Sequence, residues 1–374
     1  MTISLSVSQP CELAADDALK PTCIDLFCGA GGFSQAALEL EFKIQAAVEI
    51  DPHACDTYRH NIGKKSGVRL FQSDIDELDF SALKNAMDGR ACDVVLGGPP
   101  CQGFSVHRIK GAGIGDPRNR LIHQYFKVVS LVAPKFFLLE NVPGLLWERH
   151  RSYLELFYKF AQSAGYKVLP AVLLDARDFG VPQRRNRVFI LGGLPEYINQ
   201  VEWPPKPTHG SPQACADDKE LIPWANCARA FRAAEKGDEN NVHMHHGPEL
   251  VAAFRNTPAN GGSRRDSGRV LPCHQDHDGH KDVYGRIDKR LPAPTMTTAC
   301  INPSKGRFVH PTSHHGITAR QAARIQTFPD GYKFFGGLTA AGRQIGNAVP
   351  PLMAKKVLEV MLGPLTMLSK NNNE

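Results

Sequence analysis

The chain has 374 residues, of which 42% are hydrophobic and 22% charged, with a formal net charge of +6. These proportions are ordinary for a soluble globular protein of one large domain plus a smaller one, and the most apolar stretch, 128–146, is too polar to span a bilayer because Lys135, Glu140 and two prolines interrupt it. Ten cysteines without regular spacing, and no basic-apolar leader ahead of them, exclude a disulfide framework and point to a reduced, cytoplasmic setting. Residues 1–20 read as a loose polar tail.

Residues 22–27 form the first strand candidate, followed by Cys28-Gly29-Ala30-Gly31-Gly32 and a helical pattern over 33–40. Strand, glycine turn and helix in that order make a loop whose backbone can approach a ligand closely. The spacing is not G-x-G-x-x-G, so a nicotinamide dinucleotide is not the natural ligand. A second strand at 44–50 carries Glu49 near its end, twenty residues after Gly29, where α/β nucleotide folds place a carboxylate for ribose hydroxyls. A third at 68–71 ends near Asp74, which could accept from an adenine amino group. Three strands ending in these groups predict one adenosine-type ligand.

The fourth strand is the apolar run 94–96, ended by Gly97-Gly98-Pro99-Pro100. Two prolines remove two N–H donors and stop any regular element. Cys101 therefore opens a loop beyond the carboxyl end of a strand, where open α/β sheets bind ligands. Residues 106–120 are glycine-rich and basic and read as a loop able to close over a substrate. A helix over 121–132 leads to a fifth strand, 136–139, ending in Glu140-Asn141-Val142. A helix over 152–163 and a strand over 166–174 follow. Arg184, Arg185 and Arg187 then stand before a strand at 188–191, where buried cations need carboxylates or anions.

From Pro204 the composition shifts to proline, glycine and histidine, which predicts a domain boundary. Between Arg255 and Ile325 twelve Arg and Lys stand against five Asp, a net of +7, as on a surface that meets phosphates. Cys273, His274, His277 and His280, with His243, His245 and His246 upstream, have zinc-like spacing but no paired Cys-x-x-Cys. They read as a polar loop meeting DNA, with no metal assigned. The extended segment 291–298 offers hydroxyls suited to phosphate contacts. Residues 318–326 read as a helix, and Gln344-Ile345-Gly346-Asn347 as the opening of a last helix that ends near Leu362.

A thiol, a glutamate at a neighbouring strand end, basic groups and an adenosine-like site suggest one reaction. Carbon 5 of cytosine is too poor a nucleophile to attack a methyl donor. A thiolate adding to C6 makes C5 enamine-like if N3 is protonated as charge develops. Cys101 is then the nucleophile, Glu140 the acid at N3, and Arg187 the group that binds the base oxygen and holds the carboxylate. A stacked base cannot receive this attack, so the cytosine must be flipped out.

The motifs Asp25-Leu26-Phe27-Cys28-Gly29-Ala30-Gly31-Gly32-Phe33-Ser34, Gly98-Pro99-Pro100-Cys101-Gln102-Gly103-Phe104-Ser105, Glu140-Asn141-Val142, Gln183-Arg184-Arg185-Asn186-Arg187 and Gln344-Ile345-Gly346-Asn347-Ala348-Val349-Pro350 occur in one order. Together they resemble the bacterial DNA (cytosine-5) methyltransferases of restriction-modification systems, over nearly the whole chain. The resemblance implies an α/β, Rossmann-like S-adenosylmethionine-dependent methyltransferase sheet with a smaller, irregular target-recognition domain. It divides the chain into the tail 1–20, a catalytic and cofactor-binding domain at 21–203, the recognition domain and hinge at 204–342, and a C-terminal helix at 343–374 returning to the first domain.

For S-adenosylmethionine the resemblance implies Phe27, Glu49, Asp74 and Asn347, with Gly29, Gly31, Gly32, Ile50, Ile75 and Pro99 beside them in the same motifs. Cys101, Glu140 and Arg187 inherit the catalytic roles, with Arg185 in support; Gln102, Ser105, Thr295 and Thr297 fall to DNA. Cys28 and Pro99 are small departures that leave the chemistry intact. The implied partner is double-stranded DNA, bound by a monomer, with a cognate restriction endonuclease in the same system and no membrane. A tRNA cytosine-5 methyltransferase would carry a Cys-Phe-Thr element, which is missing. An amino-methyltransferase would want an acid or Asn before Pro-Pro, where Gly98 stands. A catalytically silent DNA-binding regulator would not need Cys101, Glu140 and Arg187 together.

Overall fold

Continuous apolar runs make strands that are buried on both faces, and β1 (Thr22–Leu26) and β5 (Phe136–Asn141) are buried along their whole length. In the computed structural model, which describes residues 20–100, 117–268 and 282–371, these strands lie in one eight-stranded sheet. Cys101, Gln102, Ser105, most of the expected closing loop, and Cys273, His274, His277 and His280 lie outside the described residues.

The sheet order is β3 (Arg69–Gln72), β2 (Lys43–Glu49), β1, β4 (Val94–Gly97), β5, β8 (Asn186–Gly193) and β6 (Lys167–Val168), with β7 (Val172–Asp175) also on β8. The first five strands are parallel, and β8 runs antiparallel to β5. The chain leaves β1 toward β2 and β3 and then returns to β4 on β1's other side. That reversal opens a crevice at the carboxyl ends of β1 and β4, the site where doubly wound sheets bind ligands. On one face α1 (Gly32–Glu39) packs against the C-terminal helix; on the other, α4 (Pro117–Val132) and α5 (Arg151–Ser163) pack through Phe126, Phe137 and Phe157. Those rings meet edge to face at 4.9 to 5.8 Å. In chain order α2 (Pro52–Tyr58) follows β2, and α3 (Phe80–Asn85) precedes β4.

Several expected boundaries move. The strand expected at 166–174 is two short ones, interrupted around Pro170. Strand β5 continues through Glu140 and Asn141, which pair with Phe189 and Val188, so the glutamate lies inside the strand rather than beyond it. Gln344 and Asn347 close the helix α8 (Gly337–Asn347) rather than opening the last one. That last helix, α9, begins at Pro351 and runs to Asn371, with proline at its first turn as the missing N–H allows.

Residues beyond 204 hold two short strands, His209–Gly210 and Ile222–Pro223, and the helices α6 (Pro248–Asn256) and α7 (Ala319–Ile325). Their apolar side chains are not a separate core: Ile287, Met296, Phe308 and Ile317 belong to the same buried cluster as Cys23 and Ile44. The net charge of the 255–325 segment also overstates its surface charge. Arg264, Arg286 and Arg320 are buried, whereas Arg255, Arg265, Arg290 and Lys305 are exposed. Arg286 spends its donors on the carbonyls of Phe254, Thr257, His310 and Ser313.

Beside Arg286 lies a group of imidazoles. His243 stacks on His315 at 4.0 Å, and His310 Nδ1 accepts from the amides of Thr312 and Ser313 at 3.2 and 2.9 Å. Among the described residues no three His, Cys, Asp or Glu are grouped to hold a metal, and no helix is long and apolar enough to cross a membrane. Burial, with His315 and Arg286 as neighbours, pulls the His310 pKa down to about 4.

The fold thus holds His310 neutral, while the unfolded chain protonates it near the ordinary value of about 6.5. Its contribution to stability is lost as pH falls from there, and the loss is complete below the folded value. Asp25, raised to about 7 by burial, acts in the opposite sense over the same range. The clean readout is therefore a difference. The Tm of His310→Asn, measured against the unsubstituted protein, is expected to rise in relative terms between pH 6.5 and 4, by up to about 3 kcal/mol in stability. A pH-independent difference would show that His310 is not held neutral.

Candidate active site

The first strand turns sharply at its end. Phe27 and Gly29 both take positive φ, 58° and 54°, and Phe27 adopts it without the freedom of a glycine. Gly29 has open space where a Cβ would stand, and its N–H donates to Glu49 Oε2 at 2.8 Å. The other carboxylate oxygen accepts from the amides of Ile50 and Asp51 at 2.9 and 2.8 Å. Three amides thus orient Glu49, and a carboxylate still has acceptor capacity beyond three bonds. Ile50 beside it is 62% exposed and gives the crevice rim an apolar surface. At the next strand end Asp74 accepts from the Asp76 amide at 3.1 Å and caps a short 3₁₀ turn, Ile75–Glu77. Asn347 is exposed at the end of α8. A carboxylate, an exposed aliphatic face, an open glycine turn and a second acid, all at the carboxyl edge of β1–β3, suit an adenosine and its ribose.

Not every expected rim residue faces the crevice. Ile75 is buried in the core, so only its backbone remains available to a ligand. Gly31 and Gly32 serve protein packing. A Cβ on Gly32 would sit 2.3 Å from the Val349 carbonyl oxygen, and one on Gly31 would sit 2.9 Å from the Tyr332 hydroxyl. Beneath the loop Ser34 Oγ donates to Asp25 Oδ2 at 2.6 Å and lies 2.7 Å from the Tyr58 hydroxyl, a buried polar group that no local pattern announces.

The second half of the site comes from β4, β5 and β8. In register, Gly97 pairs with Leu139, which brings Glu140 level with the Gly98-Pro99-Pro100 turn that precedes Cys101. Asn141 Nδ2 donates to the Pro99 carbonyl at 3.2 Å and fixes that turn. Across the antiparallel pair, Arg187 Nε lies 2.8 Å from Glu140 Oε1. The approach is an ion pair without a hydrogen bond's alignment, and Oε1, itself buried, accepts no hydrogen bond. Burial pushes the Glu140 pKa up, against the pull of Arg187 and Arg185. A buried carboxyl shifted toward its neutral form can give a proton to a ring nitrogen and take it back.

Arg185 does different work from Arg187. It is fully buried and donates to the carbonyls of Met296 (2.9 Å), Gly346 (2.8 Å) and Ala348 (2.9 Å). Gln183 extends this tie: its Oε1 accepts from the Met296 amide at 2.6 Å, and its Nε2 donates to Gln326 Oε1 at 2.6 Å. Sequence reasoning overlooked Gln326, because a buried amide in a helical segment carries no signature. Thr295 Oγ1 donates to the Arg184 carbonyl at 2.5 Å, which commits its hydroxyl proton to the fold. Thr297 is exposed, and its Oγ1 accepts from the Ala299 amide at 3.3 Å.

The profile of the C-5 cytosine-specific DNA methylase family matches residues 21–363. The Type II methyltransferase M1.HphI of Haemophilus parahaemolyticus is 34% identical over 343 residues, covering 91% of this chain and 86% of that protein. M.XorII of Xanthomonas oryzae pv. oryzae is 32% identical, covering 90% and 84%. Among solved structures, a prophage-encoded DNA modification methyltransferase of E. coli superposes with a TM-score of 0.68 at 24% identity, over 95% of this chain and all of that one. Spodoptera frugiperda DNMT2 gives 0.59 at 17%, over 91% and 99%. At these identities the two structures speak for the fold alone.

Two glycines separate packing from openness. An alanine at Gly346 would place its Cβ 2.1 Å from the Thr297 carbonyl oxygen, a backbone atom, and is expected to cost about 3 kcal/mol. Gly29→Ala meets no atom and carries only the left-handed penalty, about 1 kcal/mol. Denaturant midpoints of the two variants check the order; a Gly346→Ala protein as stable as Gly29→Ala would contradict the packing.

Proposed function

The chain belongs to the C-5 cytosine-specific DNA methylase family and is a DNA (cytosine-5) methyltransferase, and from that premise we propose that Cys101, Glu140 and Arg187 carry its chemistry on a flipped-out cytosine. The Cys101 thiolate adds to C6 while Glu140 gives a proton to N3, so electron density moves to C5. Arg187 binds the base oxygen and keeps the glutamate in place. C5 takes the methyl group and then loses its own proton to a water-derived base; the thiolate is expelled as the C5–C6 double bond returns, and N3 gives its proton back to Glu140. S-adenosylmethionine, when bound, supplies an activated methyl group on its sulfonium. Glu49 is suited to its ribose hydroxyls, Ile50 to a face of its adenine, and Phe27, Gly29, Asp74 and Asn347 to the rest of the rim.

The observation that carries this reading is Glu140: buried, raised in pKa, paired with Arg187 and level with the Pro99-Pro100 turn. The region 204–342 is assigned to recognition of double-stranded DNA, acting as a monomer. Arg255, Arg265, Arg290 and Lys305 offer exposed cations for phosphates, and Gln102, Ser105 and Thr297 are further DNA contacts. The Type II methyltransferases among its relatives support a role in a restriction-modification system, with a cognate endonuclease as the proposed counterpart.

DNA carrying 5-fluorocytosine at the target blocks the final proton loss, so the protein is expected to become covalently attached through position 101. Cys101→Ala should neither attach nor methylate. Recovery of methylated product from that variant would refute thiolate catalysis. Glu140→Gln keeps the shape and loses the proton; its kcat is expected to fall by about 10² to 10⁴, with DNA affinity little changed. Bisulfite sequencing of plasmid from expressing cells would read the target sequence at the same time.

A further inference from the structure

The path from the recognition region back to the last helices passes directly beneath the glycine loop. Residues 332–335 are held there as a strap whose backbone is gripped by side chains from two parts of the fold. Asn61 lies in a wide π turn, Arg59–Gly63, that continues α2. Its Nδ2 donates to the Lys333 carbonyl at 2.8 Å, and its Oδ1 accepts from the Lys333 amide at 2.9 Å. Asn240, from the recognition region, makes the same pair of bonds with Phe334 at 2.9 and 2.8 Å. Thr57 Oγ1 accepts from the Phe335 amide at 3.0 Å. At the head of the strap Arg320, itself bonded twice to Asp238, donates to the Tyr332 carbonyl at 2.8 Å.

The strap delivers one side chain to the loop. Tyr332 is buried, and its hydroxyl donates to the Ala30 carbonyl. That carbonyl and the Gly31 N–H belong to one planar peptide, and the Gly31 N–H closes the turn onto the Cys28 carbonyl at 2.8 Å. Gly29 and Gly31 both sit at positive φ, and neither has a side chain to limit its backbone. The Tyr332 hydroxyl is thus a side-chain anchor on the central peptide of a turn whose glycines impose little steric limit of their own.

We propose that Tyr332 is a positioning residue for methyl transfer: it fixes the Ala30–Gly31 peptide and so holds the glycine turn, with the Gly29 amide and the Glu49 carboxylate bonded to it, in the shape that receives the methyl donor. The proposal rests on the assignment of this rim to S-adenosylmethionine. Tyr332 contacts neither donor nor cytosine in this account and acts through the loop.

Tyr332→Phe keeps the ring and removes the anchor. In the full chain it is expected to raise KM for S-adenosylmethionine, and Kd for S-adenosylhomocysteine by calorimetry, about fivefold to tenfold, the effect of one hydrogen bond. Its kcat should stay within about twofold, with DNA affinity and Tm close to those of the unsubstituted protein. An unchanged KM would overturn the proposal, as would a fall in Tm with KM, kcat and DNA affinity worsening together, which is general loosening. Glu49→Ala separates the proposal from its premise. If Glu49→Ala loses the donor and Tyr332→Phe does not, the tyrosine's role is wrong; if Glu49→Ala binds the donor normally, the assignment of the rim is wrong.

Discussion

A guanidinium sealed from water must find acceptors inside the protein, and at Arg185 that requirement joins three distant parts of the chain. Its partners are the carbonyls of Met296, Gly346 and Ala348, so the entrance to β8, the extended segment of the recognition region and the end of α8 cannot move apart without stranding a buried charge. Breaking such an arrangement from one side costs several kcal/mol, typically about 3 to 5. Gln183 and Gln326 carry the same tie one step further. The segment proposed for recognition is therefore fastened to the sheet close to Arg187, so the residues proposed to meet DNA and those proposed to meet the base share one frame.

Within that frame the proposed chemistry depends on two opposed influences on one carboxyl. Burial favours the neutral acid at Glu140, while Arg187 and Arg185 favour the anion. A group balanced in this way can part with a proton and recover it at small cost, as a transfer to and from N3 requires. At the rim of the crevice Glu49 is held by three backbone amides, which fix its orientation as an acceptor.

Much of this was legible in the residues, for definite reasons. Strands β1, β4 and β5 lie between two layers of helices, so their apolar runs are continuous and easily read. The polar end of β5 extends past the apolar run 136–139 because Glu140 and Asn141 pair with Phe189 and Val188 in a strand that comes later in the chain. The start of the last helix was misplaced because apolar periodicity runs through α8 and α9 alike; Pro351 was the better marker. Charge counting failed for a different reason. It does not see burial, and Arg264, Arg286 and Arg320 are interior residues. The glycines of the first loop show the same limit. Gly31 and Gly32 are small because Tyr332 and Val349 press on them, and nothing near residue 31 reveals a neighbour three hundred positions away.

The reversed direction of β8 has a consequence for where the chain tolerates a change of length. Its amino end lies at the edge where its neighbours have their carboxyl ends, so a motif that precedes the strand reaches the same crevice as motifs that follow β1, β4 and β5. Insertions between Glu140 and Arg187 can be absorbed in the 3₁₀ turns Pro143–Leu146 and Glu148–His150 or around Pro170. A single-residue slip within β8 would turn Arg187 to the opposite side of the sheet. Beyond Gly193 the chain leaves from the far edge, so a change of length there leaves the register of Glu140 against Arg187 untouched.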